Sequence, residues 1–113
     1  MKLIVAVIPP DRLEPVKDAL AETEVFRMTV GDVQALAPRE SWTAAAPAGP
    51  DSHELVPKVK LEVAVNETFV EPALAAIARG ARDPGTPEPG HIFVLPLTEA
   101  IRIRTAERGP EAI

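Results

Sequence analysis

Hydrophobic and polar positions alternate in a way that divides the chain into clear segments. Leu3 to Ile8 is a continuous apolar run rich in branched residues, closed by Pro9-Pro10, and reads as a buried strand. Asp11-Arg12-Leu13-Glu14 has the form of a capping box. Leu13, Val16 and Leu20 then recur at helical spacing as far as Glu22-Thr23, with Pro15 in the first turn, where a missing N–H costs least. Val25 to Leu36 mixes apolar and polar residues with β-branched content and predicts a long strand. From Pro38 to Pro57 periodicity disappears, and an Ala-Pro-Gly-rich run predicts a long irregular loop of a kind that is usually functional or disordered. Val59, Leu61, Val63 and Val65 alternate with Lys58, Lys60, Glu62 and Ala64, as in a half-buried strand. A helix follows from about Thr68 to Arg82, with Phe69, Ala73, Leu74 and Ile77 as its apolar stripe. After a turn-rich loop, Asp83–Gly90, come a strand at Ile92–Leu95, one helical turn at Leu97–Ala100, and a short fifth strand at Ile101–Thr105.

The two halves repeat. A strand leads into Asp11-x-x-Glu14-Pro15 and an Ala/Leu-rich helix, and later a strand leads into Thr68-x-x-Glu71-Pro72 and another such helix. Two strand-helix-strand halves in tandem predict βαββαβ, an α+β ferredoxin-like sandwich with a short extra C-terminal strand. Helices then cover one face of the sheet. The bare face, carrying Lys60 and Glu62 among small or apolar groups, predicts self-association, for which a closed ring is one solution.

Composition narrows the function. At 113 residues the chain fits one domain, 1–113. Its 12 basic and 17 acidic side chains give a net charge of −5, which argues against nucleic-acid or anionic-membrane binding. The N-terminal apolar run is too short to span a membrane, and the cytoplasm is the expected location. With no cysteine and two isolated histidines, His53 and His91, no disulfide framework or zinc site is expected.

Arg102 and Arg104 carry the sharpest chemical signal. On one face of a strand, about 7 Å apart, two guanidinium groups suit a phosphate, although surface arginines paired with glutamates would look the same. Gly90-His91 brings backbone N–H groups toward a phosphate, or forms a plain turn. Lys58, Lys60 and Glu62 either hold a carboxylate or form an ion-pair row. Arg39 and Glu40 stand at the loop base, as contacts or as solvated charges. Trp42, the only tryptophan, either anchors a partner or folds back onto the body. No catalytic constellation, P-loop or dinucleotide fingerprint is present, so an enzyme is not expected.

The C-terminal IRIRTAERGPEAI closely resembles the Ile-Arg-Ile-Arg-Thr-Gly-Glu ending of the nitrogen-regulatory PII family. HIFVLPLTEAIRIRT, MKLIVAVIPPDRLEPVKDAL, Met28–Val30 and LVPKVKLEVAV extend the resemblance to all but the centre of the long loop. It implies a homotrimer with adenine-nucleotide sites in clefts between subunits. The segment about 37–57 would be the partner-docking T-loop, with Trp42 in it, 83–91 the phosphate-binding loop, and 101–113 the C-terminal segment. Carried over by position, Arg102, Arg104, Gly90 and His91 would bind phosphate, and Thr29, Glu62, Val63 and Ala64 the adenosine. Lys58 matches a lysine that meets 2-oxoglutarate in typical members. The departures are informative: Glu88-Pro89-Gly90-His91 replaces Gly-Asp-Gly-Lys, Arg39 replaces a magnesium-orienting glutamine, and there is no tyrosine to modify. Fewer cations for the outer phosphates imply preference for ADP or AMP over ATP. The resemblance extends to the branch linked to inorganic carbon and carboxysomes, where bicarbonate near Arg39 or Lys58 would be a second ligand. A nucleotide-independent trimeric interaction module is the alternative; a small ferredoxin-like enzyme is a remoter one.

Overall fold

The computed structural model describes residues 1–38, 53–85 and 89–113. Four strands, β1 (Lys2–Ile8), β2 (Thr29–Pro38), β3 (His53–Val65) and β4 (His91–Pro96), and two helices, α1 (Leu13–Glu22) and α2 (Glu67–Ala81), follow one another as βαββαβ. The sheet is antiparallel throughout, in the order β2-β3-β1-β4. This is the ferredoxin-like α+β sandwich that the repeat predicts.

Alternation decides which face is buried. Ile4, Ala6 and Ile8 of β1 and Val59, Leu61, Val63 and Val65 of β3 meet Val16, Ala19 and Leu20 of α1 and Val70, Ala73, Ala76, Ile77 and Ala81 of α2 in one core. The opposite face carries Leu3, Val5 and Val7, the charged residues Lys58, Lys60 and Glu62, and the exposed Ala64, Phe93 and Leu95. No element covers it among the described residues.

The helices meet closely at Gly80. A methyl group there would stand 2.7 Å from Val16 Cα and 2.9 Å from Pro15 O, so only glycine permits this crossing. Arg12 clasps the same point, donating from Nη2 to Gly80 O at 2.9 Å and to Arg82 O at 3.2 Å. A guanidinium thus satisfies the last carbonyls of α2 and meets the negative end of its dipole.

Several boundaries differ from expectation. Pro10–Arg12 form a 3-10 turn before α1, and no side chain caps the helix, so Asp11 and Glu14 do not make the capping box. The Pro9-Pro10 pair fixes φ and tightens the entry. Helix α1 ends in a Schellman motif: Val25 N–H reaches Leu20 O, Glu24 N–H reaches Ala21 O, and Glu24 takes φ 63°. Val25 therefore closes that turn, residues 26–28 are extended only irregularly, and β2 begins at Thr29. Strand β3 begins at His53, pairing with β2 as far as Pro38↔His53, so both ends of the predicted loop are a two-stranded arm. Pro57 is tolerated because β3 has no β1 neighbour beyond Ile8↔Val59. In α2, Phe69 is exposed and Val70 takes its place in the core stripe. Leu97–Ala100 is not helical. Ile101–Thr105 is not a strand: Ile101 bridges to Arg108 across a turn instead.

The ammonium group of Met1 lies 2.9 Å from Glu67 Oε1. This hydrogen bond lowers the Glu67 pKa. The pairing stabilises the fold above the carboxylate's unfolded-state pKa and is lost as pH falls through the folded-state value.

Gly80→Ala should destabilise the fold by about 1–3 kcal/mol through overpacking, measured by urea denaturation. An unchanged midpoint would show that the helices separate without cost.

Candidate functional site

The candidate residues fall into groups set by strand register. Thr29 and Glu62 are cross-strand partners at the start of β2. Glu62 forms an ion pair with Lys60 at 3.8 Å, so part of the Lys58-Lys60-Glu62 row is internally paired. Pairing with β2 stops there, and Val63 to Val65 run on without a strand on that side. Val63 is fully buried and faces the helices. Its side chain is therefore turned away from the open face, which leaves its backbone to meet a ligand there. Ala64 is exposed and lines an open cavity of about 220 Å³ with Phe26, Arg27, Asn66, Phe69 and Ile113.

Arg102 and Arg104 belong to a tight C-terminal turn and not to one strand face. Arg102 N–H donates to Glu107 O at 2.9 Å and Ala106 N–H to Arg102 O at 2.7 Å. The turn puts Ala106 at φ 62°, left-handed backbone that favours glycine. The Arg102 guanidinium stands 3.6 Å from Glu107 Oε1, which also accepts from Thr105 Oγ1 at 2.8 Å. Arg104 is exposed and makes no ion pair among the described residues. The segment is anchored by Asn66 Nδ2, which donates to Pro110 O at 3.0 Å, and by Arg108, whose guanidinium donates twice to the Glu99 carboxylate.

Gly90 and His91 lie at the far end of β1. Gly90 has φ 110°, and a Cβ there would fall 1.9 Å from Val7 O, so the loop presses its backbone onto β1. His91 is exposed, pairs with Val7 and stacks on Phe93 with ring centroids 6.1 Å apart. Lys58 is half-buried opposite Val33. Arg39 and Trp42, with the centre of the long loop, and residues 86–88 lie outside the described residues.

Register measures the separation. His91 stands beside Val7 and Ala64 beside Leu3, four positions apart on β1, or about 13 Å. Within the chain, Gly90, His91 and Lys58 therefore gather at one end of the sheet, while Ala64 and the C-terminal turn gather at the other. Among the described residues no cluster of His, Asp and Glu could hold a metal ion.

The description "Nitrogen regulatory protein P-II" matches residues 1–107 of the chain. The chain belongs to the P-II family. P-II proteins are signalling proteins, and similarity to them runs the whole length of this one. It is 44% identical over 114 residues to nitrogen regulatory protein GlnK1 of Methanosarcina mazei, covering all of this chain and 97% of that one. It is 37% identical to the nitrogen regulatory protein P-II of Azospirillum brasilense and 38% to that of Rhodospirillum rubrum, each over 113 residues and the full length of both chains.

In this P-II chain, sequence reasoning missed Phe26, Asn66 and Phe69 as pocket residues, because a strand pattern was read through 25–28 and Phe69 was assigned to the core. It also missed Glu107. The spacing of Glu107 from Arg102 carries no periodic signal, since the turn that joins them is irregular.

Gly90→Ala should displace the 83–91 loop or unpair His91 from Val7, read as lost amide protection at His91 by hydrogen exchange. Retained protection would show that the loop is not held by this contact.

Proposed function

We propose that this P-II chain acts as a homotrimeric cytoplasmic sensor. It binds adenine nucleotides in clefts between subunits, ADP or AMP in preference to ATP, and regulates a protein partner through the 37–57 arm and loop. The observation that carries this reading is the division of the candidate residues between two ends of one subunit. The base candidate Ala64 and the turn that carries Arg102 and Arg104 lie at one end, Gly90, His91 and Lys58 at the other, and Thr29 and Glu62 between them, Glu62 beside Val5. A single nucleotide meets both sets when the end of one subunit faces the opposite end of its neighbour. The uncovered apolar face of the sheet supplies a surface for that assembly.

Charge sets the preference. His91 stands where the family's phosphate loop has lysine, and Glu107 already partners Arg102. Fewer unpaired cations remain for outer phosphates, so each added phosphate gains less. The names of the relatives favour nitrogen metabolism as the regulated process. A small anion such as bicarbonate, held near Arg39 or Lys58, is the second signal in this reading, in place of 2-oxoglutarate. The partner docks on the long loop through Trp42, and is a transporter, an enzyme or a carboxysome component.

Calorimetric titration with AMP, ADP and ATP, with and without bicarbonate and 2-oxoglutarate, tests the reading. ADP or AMP should bind more tightly than ATP. The double variant Arg102→Ala/Arg104→Ala should lose affinity by about tenfold or more. Sedimentation should give a trimer. Absence of binding by every nucleotide would leave a trimeric interaction module, and a monomer would overturn the inter-subunit site.

A further inference from the structure

We propose that Phe26 and Phe69, which line one cavity, form an aromatic wall that stacks on the planar ring of the bound nucleotide, so that these two side chains set affinity for the base. This rests on the nucleotide reading above and assigns to the site two residues outside it.

The chain has three phenylalanines, one tryptophan and no tyrosine. Two of these four aromatic side chains line the same cavity of about 220 Å³. That cavity opens beside Ala64, where β3 has lost its β2 neighbour and a small side chain leaves room. Phe26 is 73% exposed among the described residues, an unusual position for a large apolar ring.

Its backbone is nevertheless held on both sides. Val25 is buried and closes the Schellman turn through its bond to Leu20 O, and the side chain of Met28 packs against the core. The ring is thus presented to solvent from an anchored segment, which is what preorganised stacking needs. Phe69, 37% exposed in the first turn of α2, lines the same cavity. Between these elements, Asn66 donates from Nδ2 to Pro110 O, which fixes the amide orientation. Its Oδ1 is buried with no hydrogen-bond partner among the described residues. Two aromatic side chains on one open cavity suit a planar heteroaromatic ring.

A stacking wall acts on the base and not on phosphate, and this separates it from the arginines. Phe26→Ala should weaken AMP, ADP and ATP by a common factor, about 5- to 100-fold, and Phe26→Trp should restore binding. Arg102→Ala should instead weaken binding more as phosphates are added. Phe26→Leu keeps the apolar bulk without the π face and should remain weak. It also serves as the test if the alanine variant folds poorly, with thermal melting as the control. If the unmodified chain binds nucleotide and Phe26→Ala binds equally well, or loses affinity only in step with phosphate number, the wall is overturned and the nucleotide reading stands. If the unmodified chain binds no nucleotide, both fall.

Discussion

At Gly80 the two helices approach so closely that a single methyl group has no room beside Val16 and Pro15. The rest of the architecture depends on that contact. Helices this close form one layer, and a layer of that width covers one face of a four-stranded sheet. Arg12 locks the crossing by satisfying the carbonyls of Gly80 and Arg82, which a helix end must otherwise expose. The core then forms on the face bearing Ile4, Leu61 and Val63, and the face bearing Val5, Glu62 and Phe93 stays open.

One-sided burial has a functional consequence. A sheet with a bare, partly apolar face offers a surface on which other copies could pack, and in the proposed assembly groups that one chain keeps apart would meet. Strand β1 is the ruler: Gly90 and His91 lie against one end of it and Ala64 against the other. The C-terminal turn is tied to that second end through Asn66 and Pro110. A binding site divided in this way would respond to assembly as well as to ligand, and the arm formed by β2 and β3 extends from the same strands that carry Thr29, Glu62 and Ala64.

Much of the fold was legible in the residues. The alternation of Val59, Leu61, Val63 and Val65 has a single structural meaning, and the repeated Glu-Pro motifs marked two equivalent helices. What failed was local. Asp11 and Glu14 have the composition of a capping box, but two prolines ahead of them tighten the chain into a 3-10 turn. Residues 53–58 lack a clear period because that part of β3 has only β2 beside it, so no core selects its side chains. Arg102 and Arg104 alternate as strand residues do, yet no strand pairs with them among the described residues, and the segment closes on itself through Glu107 and Arg108.

The candidate site was legible by residue type and not by arrangement. Alternating arginines and a Pro/Gly loop each point to phosphate whatever the fold, because guanidinium and backbone N–H chemistry is local. The cavity beside Ala64 was invisible, since Phe26, Asn66 and Phe69 come together only when the end of α1, the end of β3 and the start of α2 converge. By itself the sequence determined which residues seek the core, where the two helices lie and what charge the chain carries, all properties of near neighbours along the chain. Tertiary structure decided how far strands pair, which face stays open and which side chains share a pocket, because those depend on contacts between residues distant in sequence.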